Sequence, residues 1–156
     1  ALVHELHVQE RVYLLGPRPL AQLGGFLAQA DILVSPRLRG SNTPMKIYSY
    51  MSSGTAILAT RIASHTQVLD DGCALLVEPN PQALATGFAA LAADGAMRAR
   101  LGAAARRRAA ERYSVDAFRR KVAAAYQKLE TLGDRVAARG GSPLPREAAV
   151  LPRWRD

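Results

Sequence analysis

The chain has 156 residues, of which 49% are hydrophobic and 22% charged, so it is long enough for one domain with a core and a tail. Its single cysteine, Cys73, excludes an internal disulfide and a cysteine-based zinc site and favours a reducing, cytoplasmic location. No apolar run approaches the roughly 18 residues needed to span a membrane. The net charge of +8 favours anionic partners: nucleic acid, an anionic membrane surface or phosphorylated ligands.

Short apolar segments alternate with stretches of helical periodicity along most of the chain. Residues 1–10 are predicted to be the end of a helix, and the apolar segments predict buried strands at 11–16, 31–36, 55–60 and 73–77. Helices are predicted after Pro19, from Pro44 to Gly54, at 64–69, around 84–91, around 97–109 and after Ser114. The alternation predicts a parallel sheet covered on both faces, that is, a doubly wound α/β fold.

The predicted domain covers residues 1–132, and residues 133–156, rich in proline, glycine and arginine, are predicted to form a flexible tail. Ligands of doubly wound folds bind beyond the carboxyl ends of the strands. The loops there cover residues 16–18, 37–43 and 60–66, and we expect them to form one crevice.

The helix predicted to start at Pro44 is the strongest candidate for a binding site. Thr43 is placed to cap its first amides, and Gly54 to end it in a left-handed conformation. Lys46 lies in the first turn, where the helix dipole disfavours a cation, so either a bound anion offsets its charge or the side chain extends into solvent. Ser49 shares the polar face of Lys46.

Other chemical signals in the sequence are weaker. No Walker A motif and no G-x-G-x-x-G motif follows a predicted strand. His4 and His7 lack carboxylates at metal-ligand spacing, and His65 is interpreted as a surface histidine, with contact to a phosphate or sugar as the alternative. The arginines after Met97 favour a solvated helix face over a binding site, and without interleaved aromatic residues they do not indicate nucleic-acid binding.

Several segments, in order and at the proper spacing, resemble the C-terminal lobe of a GT-B glycosyltransferase of the glycosyl transferases group 1 family. They are RVYLLG, AQADILVSP, NTPMKIYSYMSSGTAILAT, HTQVLDDGCALLVEPNPQALA, and ERYSVDAF followed by AYQKL. The resemblance implies a Rossmann-like lobe that binds a UDP- or GDP-sugar, transfer with retention to a glycan or lipid-linked acceptor, a role in polysaccharide biosynthesis, and no cofactor or metal. The expected donor-binding residues are Gly16, Arg37, Arg39, Gly40, Ser41, Asn42, Thr43, Pro44, Met45, Lys46 and Ser49.

The chain departs from the family pattern at two positions. The family places two glutamates where this sequence has Ser41 and Ser49, and no catalytic residue is assigned. The resemblance also implies a partner N-terminal lobe, so the chain alone is expected to bind donor weakly and to be inactive. An anionic membrane at the inner face is a further expected partner. The alternative interpretation is a non-catalytic, glycosyltransferase-like binding or scaffold module.

Overall fold

The computed structural model describes residues 2–138, which fall into two units, one ending at Ala110 and one beginning at Glu111. The first unit contains a parallel three-stranded sheet in the order β1-β2-β3. Its strands are β1 (Ile32–Ser35), β2 (Ala56–Thr60) and β3 (Leu75–Val77). The helices are α1 (Leu2–Glu5), α2 (Leu23–Gln29) after a 3-10 turn (Leu20–Gln22), α3 (Met45–Ser53), α4 (Ala63–Thr66), α5 (Pro81–Ala93), α6 (Gly95–Arg112) and α7 (Val115–Ala138).

The central strand β2 is buried at every residue, because both faces of the sheet are covered. On one face, Ala56 and Leu58 form a core cluster with Leu91 of α5 and Leu101 of α6. Partly buried hydrophobic residues of the two outer strands pack against this cluster: Ile32, Val34, Leu75 and Val77. Alternation along the strand turns Ile57 to the opposite face, where it is completely buried. The predicted parallel α/β architecture is therefore confirmed.

The helices begin and end at residues whose side chains or backbones satisfy free peptide groups. Asn80 Oδ1 accepts the Ala83 amide at 2.8 Å at the start of α5, and Asp94 Oδ1 accepts the Met97 amide at 2.8 Å in α6. Arg98 closes the end of α5 by donating to the Leu91 carbonyl at 2.6 Å. This arginine therefore has a structural role, which the interpretation of the basic helix as a solvated face did not anticipate.

In the second unit, Ser114 caps α7 as predicted, since its Oγ accepts the Ala117 amide at 3.1 Å. The helix continues to Ala138 and so includes the first residues of the predicted tail. The remainder of that tail lies outside the described residues, and the domain boundary stays a prediction. No helix among residues 2–138 is long and apolar enough to cross a membrane.

The predicted strand at 11–16 is wrong. Val12 continues a turn by donating its amide to Val8, and the side chains of Tyr13 and Leu14 are 76% and 84% exposed. A strand requires a backbone partner, and no described residue forms a hydrogen-bond ladder with amides 13–16. Two other boundaries shift: α4 covers Ala63–Thr66 instead of 64–69, and β3 begins at Leu75 instead of Cys73.

Two glycines allow α6 to cross closely over the end of α3. Gly54 ends α3 with a left-handed φ of 79°, as predicted, and Gly102 of α6 lies directly against it. A Cβ atom added to Gly102 would lie 2.0 Å from the Gly54 carbonyl oxygen. Backbone cannot yield like a flexible side chain, so the crossing requires glycine at position 102.

We predict that Gly102→Ala lowers the free energy of unfolding by about 1–3 kcal/mol, because the added methyl group forces the two backbones apart. The matched control is Gly25→Ala in α2, where a new Cβ meets no atom within 4 Å. Alanine favours helix, so this control should gain up to about 1 kcal/mol. Urea denaturation of both variants measures the difference, and equal effects would contradict the close approach.

Candidate functional site

A buried polar cluster joins the carboxyl ends of β1 and β2. Ser35 and Thr60 are the last residues of these neighbouring strands, and His65 of α4 lies against both. The Nε2 atom of His65 is 2.9 Å from Ser35 Oγ, and its Nδ1 atom is 2.8 Å from the Thr60 carbonyl oxygen. All three residues are fully inaccessible to solvent, so the interpretation of His65 as a surface histidine is wrong.

The partners of His65 fix its tautomer. A carbonyl oxygen only accepts, so Nδ1 carries the proton that it donates to Thr60, and Nε2 accepts from the Ser35 hydroxyl. Burial lowers the pKa of His65 below its ordinary value, and the charges of Arg37 and Lys46 lower this pKa further. The imidazole is therefore neutral at pH 7 and acts as a structural bridge.

The loop after β1 is tied to this cluster through Arg37. Thr60 Oγ1 donates to the Arg37 carbonyl oxygen, and the Arg37 guanidinium donates from Nη1 to the Asn42 carbonyl at 3.1 Å. The guanidinium lies against Gly40, where a Cβ atom would be 2.6 Å from Nη2. With a φ of 147° as well, position 40 suits only glycine.

A second contact to the loop comes from Gln67, directly after α4. Its Oε1 accepts the Thr43 hydroxyl at 2.8 Å, and its Nε2 donates to the Ser41 carbonyl at 3.0 Å. Both ends of the carboxamide therefore hold the same loop.

The start of α3 differs from the prediction in two details. The helix begins at Met45 and not at Pro44, which is extended with a ψ of 133° at the N-cap position. Thr43 does not cap the helix, because the extended Pro44 occupies the N-cap position and places Thr43 one residue further from α3; the Thr43 hydroxyl donates to Gln67. With no side-chain cap, the amides of Met45 and Lys46 find no acceptor among residues 2–138.

Positive charge accumulates at this helix start without a carboxylate to balance it. Burial, followed by the nearby charge of Arg37, lowers the pKa of Lys46. Its Nζ lies 5.9 Å from the centre of the Tyr50 ring, and no described acidic residue pairs with Lys46 or Arg37. Free amides, the helix dipole and two neighbouring cations therefore occur in the same short segment, a combination that suits a bound anion.

The structure brings most of the predicted donor-binding residues together. Loop residues and the first turn of α3 form one continuous segment that is supported from α4: Arg37, Gly40, Ser41, Asn42, Thr43, Pro44, Met45 and Lys46. Ser49 lies half-buried further along α3. Arg39 is exposed and makes no hydrogen bond or ion pair with a described residue.

Gly16 is not joined to this segment. It has a left-handed φ of 65° in an exposed stretch that makes no hydrogen bond to loop 36–44 within the part of the chain that the structure describes. Of the three predicted crevice loops, those at 37–43 and 60–66 therefore meet, through Thr60 and the adjacent Gln67.

Two residues that shape the site, His65 and Gln67, were not assigned these roles from the sequence. The only available signal was their position just after a buried strand that ends at the same sheet edge. Among the described residues, no group of three or more histidine, cysteine, aspartate or glutamate side chains is placed to hold a metal ion.

The neutral His65 should make stability depend on pH. Its folded pKa lies below the ordinary value of 6.5, so its contribution is complete above about pH 6.5 and is lost as pH falls through the folded pKa. The pKa of Asp70, which Arg108 holds below 3.8, acts in a lower range. Denaturation from about pH 8 to about pH 5 should show declining stability, and His65→Gln should flatten this decline. An equal decline in both proteins would contradict the assignment.

The fold is shared with solved glycosyltransferase structures. A sucrose-phosphate synthase from Thermosynechococcus elongatus matches with a TM-score of 0.72 at 24% identity, over 84% of this chain and 33% of that chain. HepE from Anabaena in complex with UDP matches with a TM-score of 0.73 at 20% identity, over 81% of this chain and 35% of that chain. A glycosyltransferase from Rickettsia africae ESF-5 matches with a TM-score of 0.69 at 20% identity, over 81% of this chain and 34% of that chain.

The chain thus spans about a third of the length of these proteins. Its fold is that of the C-terminal, Rossmann-like half of a GT-B glycosyltransferase. No curated protein sequence matches the chain. Residues 1–94, more than half of the chain, match the family described as Glycosyl transferases group 1. The chain belongs to the glycosyl transferases group 1 family.

Proposed function

We propose that this chain is the donor-binding lobe of a retaining glycosyltransferase and positions the diphosphate of a UDP- or GDP-sugar at the start of α3. The observation that carries the proposal is the unbalanced positive charge of Arg37 and Lys46 beside free helix amides. A diphosphate supplies the missing negative charge and the missing acceptors at once. The complexes of HepE with UDP and with UDP-glucose support this choice of ligand class.

The same groups would assist the reaction itself. When a sugar leaves a nucleoside diphosphate, negative charge builds on the departing phosphate oxygens. The Met45 and Lys46 amides and the Lys46 ammonium would stabilise that charge, with Asn42 and Thr43 beside the sugar or phosphate. Ser49, further along α3, is the proposed contact to the ribose. This chemistry needs no cofactor or metal in the proposal.

The acceptor would lie on a second lobe, because the chain covers only about a third of its structural neighbours. A glycan or a lipid-linked sugar is the proposed acceptor class, within polysaccharide biosynthesis on the cytoplasmic side. Exposed arginines of α6, such as Arg100 and Arg107, are the proposed contacts to an anionic membrane surface.

Replacing the lysine at the helix start should weaken diphosphate binding. In an NMR titration of labelled chain, we expect saturable shifts at residues 42–49 with UDP or GDP and weaker binding of the matching monophosphate. Lys46→Ala should raise the dissociation constant of the diphosphate about tenfold, because one charge-assisted hydrogen bond is lost.

The control for that titration is Arg100→Ala, which removes the same charge from the exposed part of α6. Its affinity should match that of the unaltered chain. Equal weakening by the two variants would show a nonspecific charge effect and contradict a site at α3.

A second candidate function is a non-catalytic binding or scaffold module. It is favoured by Ser41 and Ser49, which stand where the family pattern has glutamates. Both positions carry a hydroxyl and no carboxylate, so neither can offer a charged acceptor to a sugar or a ribose. In the full-length protein, release of UDP or GDP from the sugar donor separates the two functions. A native enzyme turns over with Ser49 in place, whereas absence of turnover in both the natural protein and Ser49→Glu would support the non-catalytic module.

A further inference from the structure

Gln67 forms two hydrogen bonds to the loop at 37–43, one from each end of its carboxamide. It lies just beyond α4, and its carboxamide uses the acceptor for the Thr43 hydroxyl and the donor for the Ser41 carbonyl. The distances of 2.8 Å and 3.0 Å are those of good hydrogen bonds. Thr43 and Ser41, two residues of the loop at 37–43, are thus held by a residue that follows a different helix, α4.

The element that carries Gln67 is itself fixed. Two residues before it, His65 is buried between the ends of β1 and β2 and hydrogen-bonded to both. One residue after it, Val68 is buried in the core. The Gln67 side chain therefore projects from an anchored base, although the side chain itself is exposed.

The contact to Thr43 holds the chain directly before the helix start. Pro44, the next residue, is the N-cap of α3, and the amides of Met45 and Lys46 find no acceptor among residues 2–138. Gln67 therefore fixes the residue that precedes the position where an anion would bind.

We propose that Gln67 is a positioning residue that pre-organises the Ser41–Thr43 loop beside the start of α3, where the donor diphosphate would bind. The inference rests on the proposed function for its ligand, but the effect on the loop itself is independent of it. A loop that is ordered before binding loses less conformational freedom when the ligand arrives, so affinity rises without a direct contact.

The test uses Gln67→Met, which keeps the length of the side chain and removes both hydrogen bonds. The first measurement is made without ligand: ¹⁵N relaxation should show lower order parameters at residues 41–43. The second is the dissociation constant of UDP or GDP, which should rise about three- to tenfold through lost pre-organisation.

The matched control is Gln29→Met. Gln29 in α2 also donates its Nε2 to a backbone carbonyl, that of Gly25 at 3.0 Å, but it has no contact with the loop. It should leave both the order parameters at 41–43 and the affinity unchanged.

A double-mutant cycle with Thr43→Val tests the route of the effect. If Gln67 acts through the Thr43 hydroxyl, combining the two changes should raise the dissociation constant by less than the product of the single effects. Fully multiplicative effects would overturn this route.

The outcomes separate the positioning role from the proposed function. Unchanged order parameters in ligand-free Gln67→Met overturn the positioning role whether or not a nucleotide binds. A loosened loop with unchanged affinity overturns the link to the donor. An unaltered chain that binds neither UDP nor GDP overturns the proposed function, while the relaxation data still decide whether Gln67 orders the loop.

Discussion

The imidazole of His65 holds together the sheet edge on which the site depends. Its two nitrogens connect Ser35 at the end of β1 with Thr60 at the end of β2. Thr60 in turn holds the Arg37 carbonyl, so the loop that follows β1 starts from a fixed point. Because the whole cluster is inaccessible to solvent, its polar groups must find hydrogen-bond partners within the protein. The His65 tautomer with the proton on Nδ1 provides a partner for both the Ser35 hydroxyl and the Thr60 carbonyl.

The buried, neutral His65 supports a neighbouring segment that is positively charged. The loop and the first turn of α3 carry Arg37 and Lys46 without a described acidic partner, and each cation lies in the field of the other. Two like charges this close repel each other and cost free energy unless an anion balances them, so structural reasons alone would not favour the arrangement. Strained electrostatics of this kind are typical of sites whose ligand supplies the missing charge.

Much of the fold follows from short-range patterns in the sequence. The buried strand β2 and the end of α3 at Gly54 were predicted from a β-branched apolar run and from the conformational freedom of glycine. Residues 11–16 have a similar apolar pattern, but no described strand pairs with them, so the periodicity alone was misleading. Periodicity reports which side chains could be buried, whereas a strand also needs a partner.

The site is predictable from the sequence in outline only. The helix dipole and the position of Lys46 indicate an anion at the start of α3, and the loop at 37–43 follows from the rule that ligands bind beyond the carboxyl ends of parallel strands. The supporting residues were not predictable, because their roles depend on contacts across the sheet edge: Ser35 with His65, and Ser41 with Gln67. Thr43 does not cap the helix because the extended Pro44 occupies the N-cap position.

A crystal structure of the chain with UDP, and one with GDP, would test the central claim most directly. The account predicts that the better-binding nucleotide places a phosphate at the Met45 and Lys46 amides, with the Lys46 ammonium in hydrogen-bonding distance and Thr43 still bonded to Gln67. A diphosphate bound along the arginines of α6, with the start of α3 unoccupied, would contradict it.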